Sequence, residues 1–407
     1  MRIIIQTQIR SNFMTWMLIV SLIIIGLWDV KSLLIAAGFL VLTLILHKHA
    51  KTTYVYALYI TAWIATLVYV RMAPVHVLGL LFLMLRAISY MGDMHYEKYE
   101  LGDIKGIALY FFFLPSYVMG PVMRYDKFMK VCSERKISYD GISEGVLRII
   151  SGLFKKLVIA DRLMIAIRIW TDGDSSMIIA LLLYSVALWA DFSGGCDIAI
   201  GAAKCLGISL SENFNKPYMA RNLGQFWRCW HITMADFFRD YVFYPLTVSG
   251  FMRKLTKGNI RVMTSIATVV CFAITGLWHG FTAGFLVWGL LNGLIIALEG
   301  RRKPWRYGYI YTYIVVSFLR IFDLCDISVV GTKIRLMFCF TASMVSGDIV
   351  RHVITGLVML ILWAILMRVK DKICYKGIVG VVMLLMIAVF GVYGYDFVID
   401  GFVYGNY

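Results

Sequence analysis

The sequence predicts an all-α polytopic membrane protein. Three observations carry this. Of 407 residues, 60% are hydrophobic and only 16% are charged, where a soluble domain carries roughly 25% charged residues. Charge-free apolar runs recur, and many are long enough for a hydrocarbon core about 30 Å thick. The basic residues cluster between those runs, so the net charge of +16 reads first as the positive-inside rule. A basic face for anionic ligands or an acidic partner is the second reading. Nucleic acid is excluded, because no soluble basic domain exists to bind it.

The candidate runs in order are 13–28, 32–46, 53–70, 75–90, 107–123, 145–170, 175–207, 262–275, 279–298, 308–322, 334–345, 350–367 and 373–395. Several are short for a simple span, which predicts tilted, re-entrant or protein-buried segments. Arg2 and Arg10 precede the first run without a cleavage site after it, so it reads as an uncleaved span. Lys48, His49 and Lys51 follow the second. Both sets favour a cytoplasmic N-terminus, with Asp29–Lys31 as a short outer turn. Later clusters at Arg253–Arg261, Arg301–Arg306 and Arg368–Lys376 also favour the cytoplasm. Simple counting of spans does not reconcile them all, which again points to re-entrant segments. No linker separates two domains, so residues 1–407 read as one domain.

The stretch from Ser209 to Arg261 is the least apolar long segment. Its aromatics, among them Trp227, Trp230, Phe237 and Tyr241, alternate with Arg228, Arg239 and Asp240. Amphipathic helices at a membrane interface have this composition, and residues 220–245 are expected to lie along it. Ser211 or Asn213 is placed to cap a helix.

The stretch "ITGLWHG" holds His279 inside a 37-residue run, Val262 to Leu298, that lacks Asp, Glu, Lys and Arg. As one helix it would be about 55 Å long, well beyond the hydrocarbon thickness. It must break, and Gly276 and Gly280 mark the place. Gly276, Gly280 and Gly284 are four apart and would form a small-residue face for close packing. An ionisable group at that depth marks a functional site; the plainer reading is a neutral histidine bonded to a backbone carbonyl. His231 in "FWRCWHIT" is a second Trp-His pair. Asp191 and Asp197 in "DFSGGCDIAIG" add acids at the end of an apolar run, where solvation and a turn are the plainer account. Eight cysteines form no CxxC pair, and no Walker loop, HExxH or nucleophile elbow occurs, so neither a metal nor a bound cofactor is expected. Two histidines without a partner nucleophile suit general base catalysis on an exogenous hydroxyl.

The stretch "DFSGGCDIAIGAAKCLGISLSENFNKPYMARNLGQFWRCWHITMADFFRDYVFYPL", followed by "GLWHG", resembles the membrane-bound O-acyltransferases. "FFFLPSYVMGPVMRYDKF" matches an upstream motif, with Gly120, Pro121, Arg124 and Tyr125. Together they cover roughly residues 107–298. The likeness is to the bacterial branch of alginate O-acetylases and D-alanyl teichoic-acid transferases. It implies a ring of tilted transmembrane helices around a thinned central tunnel, with interfacial and re-entrant helices. His279 takes the position of the catalytic histidine, and His231 that of a second functional one. Trp278, Trp230, Arg228, Arg239, Asp240 and Asn213 are the candidate tunnel and donor-site residues. Arg228 and Arg239 would attract an anionic donor, or contact lipid headgroups.

The resemblance implies an acyl thioester, acetyl-CoA or an acidic acyl carrier protein, as donor. The acceptor is a hydroxyl of an extracytoplasmic polysaccharide, reached directly or through a partner transferase, and the site is the bacterial cytoplasmic membrane. "FFRDYVFYPL" favours acetyl transfer. "TVSGFMRKLTKGN", which stands where the acetylases have a glycine-rich stretch, and the short chain leave D-alanyl transfer open. A transporter or scaffold on the same fold is the alternative from another class.

Overall fold

A computed structural model describes residues 2–73, 76–98, 101–172, 177–300, 305–338, 346–370 and 376–393. Arg301–Lys303, and parts of the runs 334–345 and 373–395 and of the cluster Arg368–Lys376, lie outside them. The described residues are helical, apart from connecting segments and one isolated β-bridge. Among them, five helices are long and apolar enough to cross a membrane: Val30–His49, Thr53–Met72, Met177–Cys205, Ile260–His279 and Gly347–Val369. The chain forms two compact units, one of Met1–Gly145 with Ala199–Glu212, the other of Val146–Ile198 with Asn213–Tyr407.

The first unit begins with α1 (Arg2–Trp28), α2 (Val30–Leu46) and α3 (Thr53–Met72). Asp29 makes the turn before α2: its carboxylate accepts from Lys31 N at 3.0 Å and Leu78 N at 3.3 Å. α4 (Leu80–His95) is buried along almost its whole length. The expected run 107–123 breaks early. α5 (Ile104–Phe112) stops before Pro115, and an irregular chain leads to α6 (Tyr125–Ser133). Gly120 is required there. Its φ is +152°, and a Cβ would stand 2.8 Å from that of Ser116. The buried Arg86 of α4 holds this segment, donating to the carbonyls of Tyr110 and Ser116 and to Ser116 Oγ.

The next elements are α7 (Tyr139–Phe154), α8 (Asp161–Asp172) and α9 (Met177–Cys205). The run 145–170 is not one regular helix, because a π-helical stretch, Lys155–Ala160, joins α7 to α8. Its wider turn lets adjacent Lys155 and Lys156 both reach α9. Asp191 and Asp197 are accordingly not solvated acids at a turn: they lie inside α9. Lys156 Nζ is 2.8 Å from Asp191 and 2.7 Å from Asp161; Lys155 Nζ is 2.6 Å from Asp197, which Arg148 meets at 3.0 Å. Gly152 and Gly194 permit this approach. A Cβ on either would fall within 2.8 Å of the other's carbonyl oxygen.

The second unit continues with α10 (Leu223–Cys229), α11 (Ile232–Phe238), α12 (Tyr244–Val248) and α13 (Gly250–Leu255). Through the π turn Arg239–Phe243, α11 and α12 run on as one helical stretch, Ile232–Val248, about 25 Å long; it carries the charged and aromatic residues expected of an interfacial segment. α14 (Ile260–His279) and α15 (Ala283–Glu299) then form a tight hairpin. They are followed by α16 (Gly308–Leu319), α17 (Ile321–Leu324), α18 (Ile327–Arg335), α19 (Gly347–Val369) and α20 (Lys376–Phe390).

The charge-free run breaks at the expected place. α14 ends at His279, Gly280 is extended, and Thr282 caps α15. The expected face of Gly276, Gly280 and Gly284 does not form, because the break separates those three. The hairpin closes instead on Gly276, Gly289 and Gly293. A Cβ on Gly276 would collide with the carbonyl oxygen of Phe285, and one on Gly289 with that of Phe272.

Candidate active site

Residues 213–215 run antiparallel to residues 229–232. Phe214 and Trp230 form a bridge, Asn215 N donates to Cys229 O at 2.9 Å, and Ile232 N donates to Asn213 O at 3.0 Å. Asn222 caps α10 through Gln225 N at 2.7 Å. His231 sits between α10 and α11 with φ +47°, a left-handed backbone uncommon outside glycine. Such strain persists only where the surroundings over-determine it, often at functional sites. Its carbonyl accepts from Met234 N and Ala235 N, which fixes the start of α11.

The His231 ring is fully buried. Phe192 meets it edge-on at 4.6 Å. Its Nδ1 lies 3.3 Å from Asn213 Oδ1. The same oxygen accepts from Thr233 N at 3.1 Å and Thr233 Oγ1 at 3.0 Å. Asn213 thus caps α11 from 20 residues upstream, a longer reach than the local cap its position suggests. Burial pushes the His231 imidazole down to about 3, so it is neutral at ordinary pH.

His279 ends α14 and is 4% exposed. Trp278, Trp288 and Phe285 surround it, with ring centroids at 4.8, 5.4 and 6.1 Å. Trp278 also faces Phe238 at 6.0 Å.

The two histidines belong to one aromatic wall. From His279 the rings run through Trp288 and Trp227 (5.5 Å), Phe226 (5.2 Å) and Trp230 (5.4 Å, stacked), which precedes His231. Trp227 Nε1 donates to Asn292 Oδ1 at 3.1 Å, and Asn292 Nδ2 donates to Trp288 O at 2.9 Å. The arrangement supplies two buried imidazoles in an apolar wall, with the proton-accepting chemistry that acyl transfer to a hydroxyl needs.

Of the expected site residues, the structure gathers His279, Trp278, Trp230, His231 and Asn213 in or beside this wall. It does not gather the charged ones. Arg228 is exposed on α10. Arg239 spends its guanidinium on Asp236 at 2.5 Å and Asp240 at 2.9 Å, and is half-exposed.

Sequence reasoning missed Trp227, Trp288, Asn292, Phe192 and Arg320. Arg320 is 2% exposed, pairs with Asp323 at 2.8 Å and lies 5.2 Å over the Trp230 ring. The signal was present: an ionisable residue inside the apolar run 308–322 is as costly as His279.

The model of the membrane-bound O-acyltransferase family matches residues 14–307. The chain belongs to that family. Among curated relatives, a probable alginate O-acetylase of Pseudomonas putida is 29% identical over 296 residues, 69% of this chain and 59% of its own length. A peptidoglycan O-acetyltransferase of Helicobacter pylori is 32% identical over 209 residues, 49% of this chain and 38% of its own. A teichoic acid D-alanyltransferase of Bacillus subtilis is 29% identical over 212 residues, 49% and 53%. The chain thus spans between about two fifths and three fifths of these relatives' lengths. His231 and His279 both fall inside the residues that the family model matches.

Proposed function

We propose that the chain moves an acyl group, acetyl in the first instance, from a cytoplasmic thioester to a hydroxyl of an extracytoplasmic polysaccharide. It works in the cytoplasmic membrane of a bacterium. The observation that carries this is the pair of buried histidines on one continuous aromatic wall, within a chain of this family. His279 takes the proton of the acceptor hydroxyl as its oxygen attacks the thioester carbonyl. The tetrahedral intermediate collapses by breaking the carbon–sulfur bond, and the proton passes to the leaving thiolate. The products are an oxygen ester and a free thiol. His231 orients the donor or assists the proton transfer. The aromatic wall keeps water from hydrolysing the thioester.

Acetyl is preferred because the alginate O-acetylase likeness extends over 296 residues, against 212 for the D-alanyltransferase. That second likeness favours one rival, D-alanyl transfer from a carrier protein towards teichoic acid. Purified protein in lipid vesicles, offered acetyl-CoA or a D-alanyl carrier thioester with polysaccharide or teichoic acid, separates the two by the ester formed. Ester from neither donor, with solute flux across the vesicle, would favour a transporter.

A further inference from the structure

Asn213 holds three consecutive residues. Its backbone carbonyl accepts from Ile232 N at 3.0 Å. Its side-chain oxygen is 3.1 Å from Thr233 N, 3.0 Å from Thr233 Oγ1 and 3.3 Å from His231 Nδ1. Its side-chain nitrogen donates to Cys196 Sγ at 3.3 Å. Asn213, His231 and Cys196 are all at least 98% buried.

These contacts settle two questions that asparagine and histidine usually leave open. The first is which way the amide points. A backbone N–H can only donate, so the atom facing Thr233 N is the oxygen. Flipping the amide would set its NH₂ against that N–H. The second is where the imidazole proton sits. A carbonyl oxygen can only accept, so Nδ1 must be the donor. A lone pair on Nδ1 would instead face an oxygen lone pair in a site that water does not screen. In the neutral ring the proton is then on Nδ1, and Nε2 is the nitrogen that accepts. The reach from residue 213 also accounts for the left-handed backbone at His231, which places Nδ1 and the amide of Thr233 on the same oxygen.

We propose that Asn213 is a positioning residue, whose amide oxygen holds the His231 proton on Nδ1 and thereby makes Nε2 the nitrogen presented for hydrogen bonding and proton transfer. This rests on the assignment of His231 to acyl transfer. A cap for α11 alone would need only the Thr233 bonds.

The test is the nitrogen-15 spectrum of protein in lipid nanodiscs with labelled histidine imidazoles, His231 being assigned by its loss in His231→Gln. The expected wild-type spectrum shows His231 with a protonated Nδ1 and an unprotonated Nε2. Asn213→Asp keeps an oxygen in place and keeps that tautomer. Asn213→Leu moves the proton to Nε2 or leaves a mixture. With acetyl-CoA and an oligosaccharide acceptor, Asn213→Leu loses at least about tenfold in kcat, with a smaller change in KM for acetyl-CoA. Asn213→Asp recovers part of that loss. Thr233→Val, which removes the hydroxyl bond to Asn213 and leaves the backbone one, keeps both tautomer and kcat. A wild-type proton on Nε2, or an unchanged tautomer in Asn213→Leu, overturns the proposal. Should Asn213→Leu fail to fold, the wild-type and Asn213→Asp spectra decide it. A fully active His231→Ala would instead remove His231 from the reaction, leaving the tautomer result standing by itself.

Discussion

The indole of Trp227 donates to the amide of Asn292 at 3.1 Å, tying α10 to α15 in the middle of the wall between the two histidines. Both groups are buried. Asn292→Leu would leave a buried N–H without its acceptor, a loss of about 1–3 kcal/mol. Trp227→Phe removes that donor, so adding it to Asn292→Leu should cost less than the two single changes together. Melting curves of the three variants give the coupling. Simple additivity would mean that the bond contributes nothing.

Gly276 tests the hairpin that carries His279. A methyl group there meets the carbonyl of Phe285, while Gly250 has open space around it. Gly276→Ala should therefore lower stability by about 1–3 kcal/mol and reduce acyl transfer, because α14 and α15 must part next to the histidine. Gly250→Ala should stay within about 0.5 kcal/mol of wild type. Equal effects in thermal unfolding would show that the hairpin is not closely packed at Gly276.

The His231 ring gives a pH signature. Burial lowers it from 6.5 to about 3, so between those values the unfolded chain binds a proton that the folded one refuses. Stability from this group is complete above pH 6.5 and is lost as pH falls, by at most about 1.4 kcal/mol per pH unit. The melting temperature of wild type should thus fall more steeply from pH 6.5 to 5 than that of His231→Gln. Parallel curves would place the ring in contact with water.

Labelling fixes the orientation. Val30 is 57% exposed, and Lys48 is also exposed. A cysteine at position 30 should react with an impermeant reagent from outside intact cells, and one at position 48 only after permeabilisation. Position 50 is unsuitable, since Ala50 is fully buried and would resist labelling on either side. The reverse pattern would invert the N-terminal charge argument.

The sequence made the helices, the break at Gly280 and the two histidines readable for one reason. An apolar chain leaves few places for an ionisable group, so each exception stands out, and so does a charge-free run too long for a single helix. What it hid depends on pairing across distance. Asp191 and Asp197 look like span ends until Lys155 and Lys156, more than thirty residues earlier, are turned toward them by a π-helical stretch that no periodicity announces. Trp227 and Trp288 look like any membrane aromatic until α10 meets the hairpin. Arg228 and Arg239 stand out in the sequence by their charge alone, and it is the fold that exposes one and pairs the other with Asp236 and Asp240. Asn213 was legible as a cap, but its target 20 residues away was not.

His279 is proposed here as the base in acyl transfer. The most direct measurement is ester formed on the acceptor by purified protein with a thioester donor, with a melting curve on the same sample. His279→Ala and His279→Gln should fold with near wild-type stability and lose about 10²–10⁴-fold or more in turnover, because glutamine keeps a polar side chain but no base. Near-normal turnover by a folded His279→Ala protein would contradict the account.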